Sequence, residues 1–208
     1  IAGPGNIYVT LAKKLLSGRV GIDLLAGPSE IVILADSYAN PETLAADLLS
    51  QAEHDESSCA LLISGSQDLL DRVERALETQ LSTLPRAETA RTSLAHWGGL
   101  IRVPDEEAGM ELVNRIAPEH LELCLQDPWS WVDRIRHAGA VFLGEATSEA
   151  LGDYYAGPNH VLPTAGSARF ASGLGVESFC KRSNLISATR EYMERNAETI
   201  GRLARLEG

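Results

Sequence analysis

Apolar residues along the chain follow two alternating patterns. Short apolar runs bounded by glycine, proline or polar residues predict β-strands, whereas apolar residues spaced three or four positions apart predict amphipathic helices. The predicted strands are Glu30–Leu34, Cys59–Ile63, Leu100–Val103, His120–Leu125 and Ala140–Leu143. The predicted helices are Asn40–Glu56, Asp68–Leu84, Asp105–Ile116 and Pro128–His137. This alternation predicts an α/β fold: a doubly wound, mostly parallel sheet with helices on both faces.

The two ends of the chain differ from this middle part. Residues 1–28 hold two Gly-Pro turns and one short predicted helix at Ile7–Leu16, which is too little to fold alone. We therefore expect them to be the remnant of another domain, and residues 29–174 to form the α/β domain. Residues 175–208 are predicted to be a C-terminal helical extension, helical from about Ser178. Its apolar stripe is thin, and such a helix usually packs on a neighbouring domain or subunit.

Composition narrows the class of protein. The chain has 208 residues, 18 Lys and Arg against 29 Asp and Glu, and a formal net charge of −11. A surface this acidic disfavours binding to nucleic-acid phosphates or to an anionic membrane. Three widely spaced cysteines are typical of a reducing compartment. We expect a soluble, cytoplasmic protein.

Three polar clusters are candidates for chemistry. Gln51 and His54 are three residues apart near the end of a predicted helix, so both side chains lie on one face and could hold a metal. A polar helix end stabilised by its dipole explains the same spacing. Glu119 and His120 precede a predicted strand and could move protons for one substrate, although a solvated turn has the same composition.

The third cluster is the segment from Gly152 to Thr164, which follows the last predicted strand and contains Asp153 and His160. Ligands of open α/β sheets bind beyond the carboxyl ends of the strands, so we expect these side chains there, completing a site with Gln51 and His54. A surface loop shaped by glycine and proline is the alternative. The residues alone therefore predict an α/β domain with a His, Asp and Gln metal or acid–base site.

Six ordered motifs together resemble one family. They are GPGNxYV at Gly3–Val9, AGPSE at Ala26–Glu30, DLLSQAEHD at Asp47–Asp55, APEHLEL at Ala117–Leu123, AGAVFLG at Ala138–Gly144 and GDYYAGPNHVLPT at Gly152–Thr164. Their order closely resembles the C-terminal half of histidinol dehydrogenase, and the likeness covers essentially the whole chain. The resemblance implies a homodimeric, zinc- and NAD-dependent enzyme of histidine biosynthesis, which oxidises L-histidinol to L-histidine in two hydride steps through an aldehyde.

The resemblance also assigns roles to matching residues. The zinc ligands match Gln51, His54 and Asp153, and the proton-transferring pair matches Glu119 and His120. The substrate-binding positions match Ser29, Gln51, His54, His120, Asp153, His160 and Glu207. Asn6 matches a residue at the nicotinamide cofactor.

Two departures from the family shape the remaining expectations. The family protein is considerably longer, so the chain resembles a truncated portion of it. The resemblance implies that residues 1–28 are the remnant of the family's NAD-binding domain. The family's fourth zinc ligand is a histidine supplied across the dimer, and no histidine follows His160 here. We therefore expect the isolated fragment to hold zinc weakly and to be inactive. The alternatives are a zinc hydrolase that uses the same Gln, His and Asp site with Glu119 as base, and a non-catalytic structural fragment.

Overall fold

The computed structural model of the chain describes residues 1–3 and 6–208. Pro4 and Gly5, from the first predicted Gly-Pro turn, lie outside the described residues. The chain forms two compact units, residues 1–175 and residues 176–208. The described residues contain no helix that is long and apolar enough to cross a membrane.

The first unit alternates strands with helices, as the apolar pattern predicts. Its strands are β1 (Glu30–Ala35), β2 (Cys59–Ser64), β3 (Gly98–Arg102), β4 (His120–Cys124) and β5 (Ala140–Leu143). Its helices are α1 (Ile7–Leu16), α2 (Pro41–Ala52), α3 (Gln67–Leu81), α4 (Ala87–Trp97), α5 (Glu106–Ile116) and α6 (Glu149–Tyr154). Short 3-10 helices lie at Pro128–Arg134 and Ser167–Arg169.

The five strands form one sheet in the order β3-β2-β1-β4-β5, and all four strand pairs are parallel. Alternate residues of the central strand β1 enter two separate apolar cores. Ile31 and Ile33 pack with residues of α2, α3 and α4, whereas Val32 and Leu34 pack with residues of α5. Helices therefore cover both faces, and the predicted doubly wound α/β fold is confirmed.

Helix α2 determines which edge of the sheet carries the site. Asn40 caps it by accepting a hydrogen bond from the Glu42 backbone N–H, and Pro41 occupies its first turn. The helix leads back to the start of β2, so its last turn, with Gln51, lies at the amino ends of the parallel strands. His120 begins β4 at the same edge. The expectation of a site beyond the carboxyl ends is therefore wrong.

Several predicted element bounds are also wrong. Helix α4 was not predicted, because residues 87–97 contain few apolar side chains and Arg86, before its first residue, makes no capping hydrogen bond. The segment predicted as a helix up to His137 is a 3-10 helix that ends at Arg134. Part of the predicted loop after β5 is the helix α6.

The second unit contains a short 3-10 helix at Val176–Phe179 and the helix α7 at Arg190–Glu207, capped by Thr189. The predicted helix from about Ser178 is therefore too long by more than two turns. Helix α7 has no buried residue in this single chain. Contact of this extension with a partner subunit, and the origin of residues 1–28 in another domain, stay predictions.

Candidate active site

His120 lies at the centre of the site. It is 2% exposed, and its Nδ1 atom lies 2.8 Å from the Glu30 carbonyl oxygen and 3.0 Å from Gln51 Oε1. Both neighbours are hydrogen-bond acceptors, so Nδ1 carries the ring proton and Nε2 presents its lone pair. Burial lowers the pKa of His120 to about 4, so the ring is neutral at pH 7.

His160 and Asp153 form, together with His120, a line of polar side chains that contact one another. His160 Nε2 lies 2.8 Å from His120 Nε2 and 3.0 Å from Asp153 Oδ1. The two imidazole rings are nearly parallel, with centroids 4.8 Å apart. Asp153 comes from the short helix α6, which approaches His160 closely because residue 152 is glycine.

Gln51 and His54 join the same line from α2. Gln51 is fully buried and His54 is exposed, and Gln51 Nε2 lies 3.5 Å from His54 Nδ1. Hydrogen bonds or ion pairs thus link Gln51 to His120, His160 and Asp153 in turn. The structure brings these predicted residues together, whereas their role as zinc ligands stays a prediction.

Glu119 lies beside His120 and is 7% exposed. Its Oε2 accepts a hydrogen bond of 3.0 Å from the Glu30 backbone N–H and lies 3.8 Å from His120 Nδ1. Burial, with smaller effects from the Glu30, Glu149 and Asp153 carboxylates, raises the pKa of Glu119 to about 8. The carboxylate form is therefore a stronger base than an ordinary glutamate.

Three cavities adjoin these groups, and two of them are lined by Ser29. One of about 660 Å³ is lined by Asn6, Ser29 and His54, among others. A smaller one of about 170 Å³ is lined by Ser29, Glu119 and His160. Ser29 thus borders both cavities, where a substrate can reach the proton-transfer and metal-ligand candidates.

Asn6 and Glu207 are the remaining predicted residues. Asn6 caps α1, where its Oδ1 accepts hydrogen bonds from the backbone N–H groups of Tyr8 and Val9. It faces the larger cavity, but binding of a cofactor by Asn6 stays a prediction. Glu207 is the last residue of α7 in the second unit, and its contact with substrate also stays a prediction.

Sequence reasoning missed Glu149. It is 3% exposed, its Oε2 accepts a hydrogen bond from Ser50 Oγ at 3.2 Å, and its Oε1 lies 3.9 Å from His120 Nδ1. Burial raises the pKa of Glu149 to about 7. One feature of the sequence could have identified Glu149. It lies four residues before Asp153, and this spacing places both carboxyl groups on one side of a helix.

The donor set suits a divalent metal. The amide oxygen of Gln51, the imidazole of His54 and the carboxylate of Asp153 are ligand types that zinc accepts. Ligand atoms of His120, Glu149 and His160 also lie within 4.8 Å of one another. The Asp153 carboxylate raises the pKa of both Glu119 and Glu149, so a cation here would relieve repulsion among buried acids.

Comparisons with known proteins agree on one family. A family model described as Histidinol dehydrogenase matches residues 1–208. The histidinol dehydrogenases of Nitratidesulfovibrio vulgaris and Syntrophotalea carbinolica are 56% and 53% identical to the chain over all 208 residues. A crystal structure of histidinol dehydrogenase from Elizabethkingia anophelis has a TM-score of 0.92 and 40% identity over 99% of the chain.

The chain spans about half the length of the relatives it matches. It covers 48% of each of the two bacterial sequences and 47% of the crystallised chain. Its expected position in the C-terminal half of the longer protein stays a prediction.

Proposed function

The chain belongs to the histidinol dehydrogenase family, and we propose that the full-length protein oxidises L-histidinol to L-histidine through histidinal, with NAD and zinc. The observation that carries the proposal is the buried, neutral imidazole of His120, whose Nδ1 is bonded to Glu30 and Gln51 and whose Nε2 faces His160. An alcohol oxidation needs such a base for the hydroxyl proton.

His120 takes the first proton in this proposal. Its Nδ1–H is held by the Glu30 carbonyl and Gln51 Oε1, so the substrate hydroxyl donates its proton to Nε2. His160 Nε2 lies 2.8 Å from His120 Nε2, which marks the direction from which a hydrogen-bond donor approaches this atom. The two acceptors on Nδ1 also stabilise the imidazolium that results, because they accept from a cation more strongly than from a neutral ring.

Glu119 acts in the second half of the reaction. The aldehyde must gain water before it can lose a second hydride, and the Glu119 carboxylate removes a proton from that water. Its Oε2 is fixed by the Glu30 backbone N–H, which sets the direction of the remaining lone pairs. When bound, zinc held by Gln51, His54 and Asp153 orients the amine and imidazole of the substrate, and NAD at Asn6 accepts each hydride. We also propose that the enzyme is a homodimer.

The test uses the full-length protein that carries this sequence. We expect two NADH per L-histidinol, loss of activity after treatment with a chelator, and recovery with zinc. The variant His54→Ala should lose bound zinc by elemental analysis, while the control His96→Ala, on the exposed end of α4, should retain it. Absence of NADH formation from L-histidinol would contradict the proposed function.

A second variant tests the role of Glu119. Glu119→Gln should release about one NADH per histidinol and accumulate the aldehyde, because proton removal from water fails while the first oxidation continues. Glu111→Gln on α5 is the matched control, with two NADH expected. Two NADH per histidinol from Glu119→Gln at an unchanged rate would exclude this role for Glu119.

A further inference from the structure

We propose that Thr164 is a positioning residue for Ser29, acting through the loop of residues 26–29 (the 26–29 loop). The inference rests on the proposed function, because Ser29 is taken to contact the substrate. The observation that leads to it is a hydrogen bond from the Gly27 backbone N–H to Thr164 Oγ1, which joins positions 137 residues apart. Thr164 is 3% exposed, so water does not compete freely for this hydroxyl.

Thr164 belongs to a tight turn of residues 164–167 (the 164–167 turn). The Thr164 carbonyl accepts hydrogen bonds from Ser167 N at 3.0 Å and from Ser167 Oγ at 2.6 Å. Ala165 and Gly166 adopt left-handed backbone angles, with φ of 52° and 73°. Hydrogen bonds within the turn therefore hold its backbone in place, and this fixes the position of the Thr164 hydroxyl.

The same turn makes a second bond next to the loop. The Ala165 backbone N–H donates to Glu30 Oε1 at 2.9 Å. Since Glu30 follows Ser29 and Gly27 precedes it, the 164–167 turn is bonded on both sides of Ser29. This placement fixes the segment that carries Ser29 toward both cavities.

Other bonds hold the ends of the loop without Thr164. Thr10 Oγ1 donates to the Ala26 carbonyl at 3.0 Å, and Cys59 N donates to the Ser29 carbonyl at 3.0 Å. The Glu30 N–H also remains bonded to Glu119 Oε2. Loss of the Thr164 hydroxyl should therefore loosen the loop around Gly27 and Ser29 while Glu119 and His120 stay in place. Substrate binding should weaken and the chemical step should persist.

The experiment measures kcat and KM for L-histidinol in the full-length protein. Thr164→Val, which removes the hydroxyl at similar volume, should raise KM on the order of tenfold, the effect of one lost hydrogen bond. Its kcat should stay within about twofold of the wild-type value, since removal of a binding contact acts on KM. Thr164→Ser keeps the hydroxyl and should restore KM. Thr79→Val is the remote control, because its hydroxyl bonds only within α3 and it lines neither cavity.

A second variant tests the same contact if Thr164→Val does not fold. A Cβ on Gly27 would approach Thr164 Oγ1 to 3.2 Å, so Gly27→Ala should also raise KM, and the double variant should be non-additive. An unchanged KM in both single variants of an active protein would overturn the inference. So would a fall in kcat without a rise in KM, or a failure of Thr164→Ser to restore KM. A wild-type protein without histidinol oxidation would instead overturn the proposed function.

Discussion

The Nε2 atoms of His120 and His160 lie 2.8 Å apart, and the two ring planes are nearly parallel, with an interplanar angle of 13°. Two nitrogen atoms at this distance need one proton between them. His120 already uses its Nδ1 proton toward Glu30 and Gln51, so the shared proton belongs to His160. The His160 Nε2–H also lies near the Asp153 carboxylate, at an N–O distance of 3.0 Å.

The first prediction follows from this assignment. At pH 7, His120 should be the neutral tautomer with its proton on Nδ1, because burial lowers its pKa to about 4 and Nδ1 faces two acceptors. Side-chain ¹H–¹⁵N spectra of protein labelled at histidine check this, with His120→Gln to assign the signal. A signal for a protonated Nε2 of His120 would contradict the proposed direction of proton transfer.

The second prediction concerns Gly152. A Cβ at this position would lie 2.7 Å from Phe142 Cε1 and 2.9 Å from His160 Cε1. Gly152→Ala should displace His160 and lower the free energy of unfolding by about 1–3 kcal/mol, the usual cost of overpacking. Denaturant unfolding and kcat/KM measure both effects.

Gly21→Ala is the matched control for this change. Apart from its chain neighbours, no described residue has an atom within 4 Å of a Cβ at Gly21, and its backbone needs no left-handed angle. It should leave stability and activity close to those of the wild type. If Gly152→Ala and Gly21→Ala had the same free energy of unfolding and the same kcat/KM, α6 would be able to move away from His160 without cost, and the prediction would be wrong.

The sequence predicted the sheet and most of the site because both depend on local patterns. Apolar runs mark the buried parallel strands, and the motifs contain the side chains that meet around His120. Glu149 was missed because a glutamate on a short helix has the composition of a solvated surface. Its burial depends on the packing of α6 beside Ser50 and His120, which are distant in sequence. The site lies at the amino ends of the parallel strands. Apolar periodicity predicts strands and helices, but it does not predict at which end of the strands the functional side chains meet.

The third prediction concerns an ion pair outside the site. Lys13 Nζ lies 2.7 Å from Asp23 Oδ1, and the two side chains are 6% and 1% exposed. Lys13 also donates to the Gly3 carbonyl at 2.6 Å, so the pair is bonded to Gly3. Asp23→Asn should destabilise the protein by about 3–5 kcal/mol, because it leaves the buried Lys13 charge without its carboxylate counter-charge. Lys14→Gln, at an exposed neighbour, should have little effect.

This effect should depend on pH with a defined sign. Burial alone would raise the pKa of Asp23, but Lys13 and the backbone N–H groups of Gly3 and Leu24 hold it below its ordinary value. The contribution of Asp23 is therefore complete above about pH 4, near the pKa of an unfolded aspartate, and is lost as pH falls through the lower folded value. Unfolding curves of wild type and Asp23→Asn should converge at acidic pH. A constant difference down to pH 2 would contradict this assignment.

The fourth prediction concerns Glu122 in the middle of β4. It is 1% exposed and its Oε1 accepts a hydrogen bond of 3.0 Å from the Glu149 backbone N–H, while its Oε2 is buried without a hydrogen-bond partner among the described residues. Burial and the Asp47 charge raise the pKa of Glu122, so it keeps a proton that the unfolded chain releases above about pH 4.5. Wild-type stability should fall between pH 5 and pH 8 relative to that of Glu122→Gln.

Measurement of the free energy of unfolding at pH 5, 6, 7 and 8 checks this slope. Glu78→Gln, on α3, is the control and should keep the pH dependence of the wild type. Parallel curves for wild type and Glu122→Gln would show that Glu122 is ionised in the folded protein.

The pairing of β1 with β4 has a consequence for the order of folding. The bond between Glu30 and Glu119 spans 89 positions, and those from His120 to Gln51 and to His160 span 69 and 40. Closing loops of this length lowers the chain entropy before the contacts that stabilise the fold have formed. Contacts between residues that are distant in sequence therefore slow folding. The β1–α2–β2 unit can form from neighbouring segments, whereas the site needs strands that are synthesised far apart. Histidinol oxidation would then arise late in refolding, after the far-UV signal of the helices, and would report the completed order of the strands.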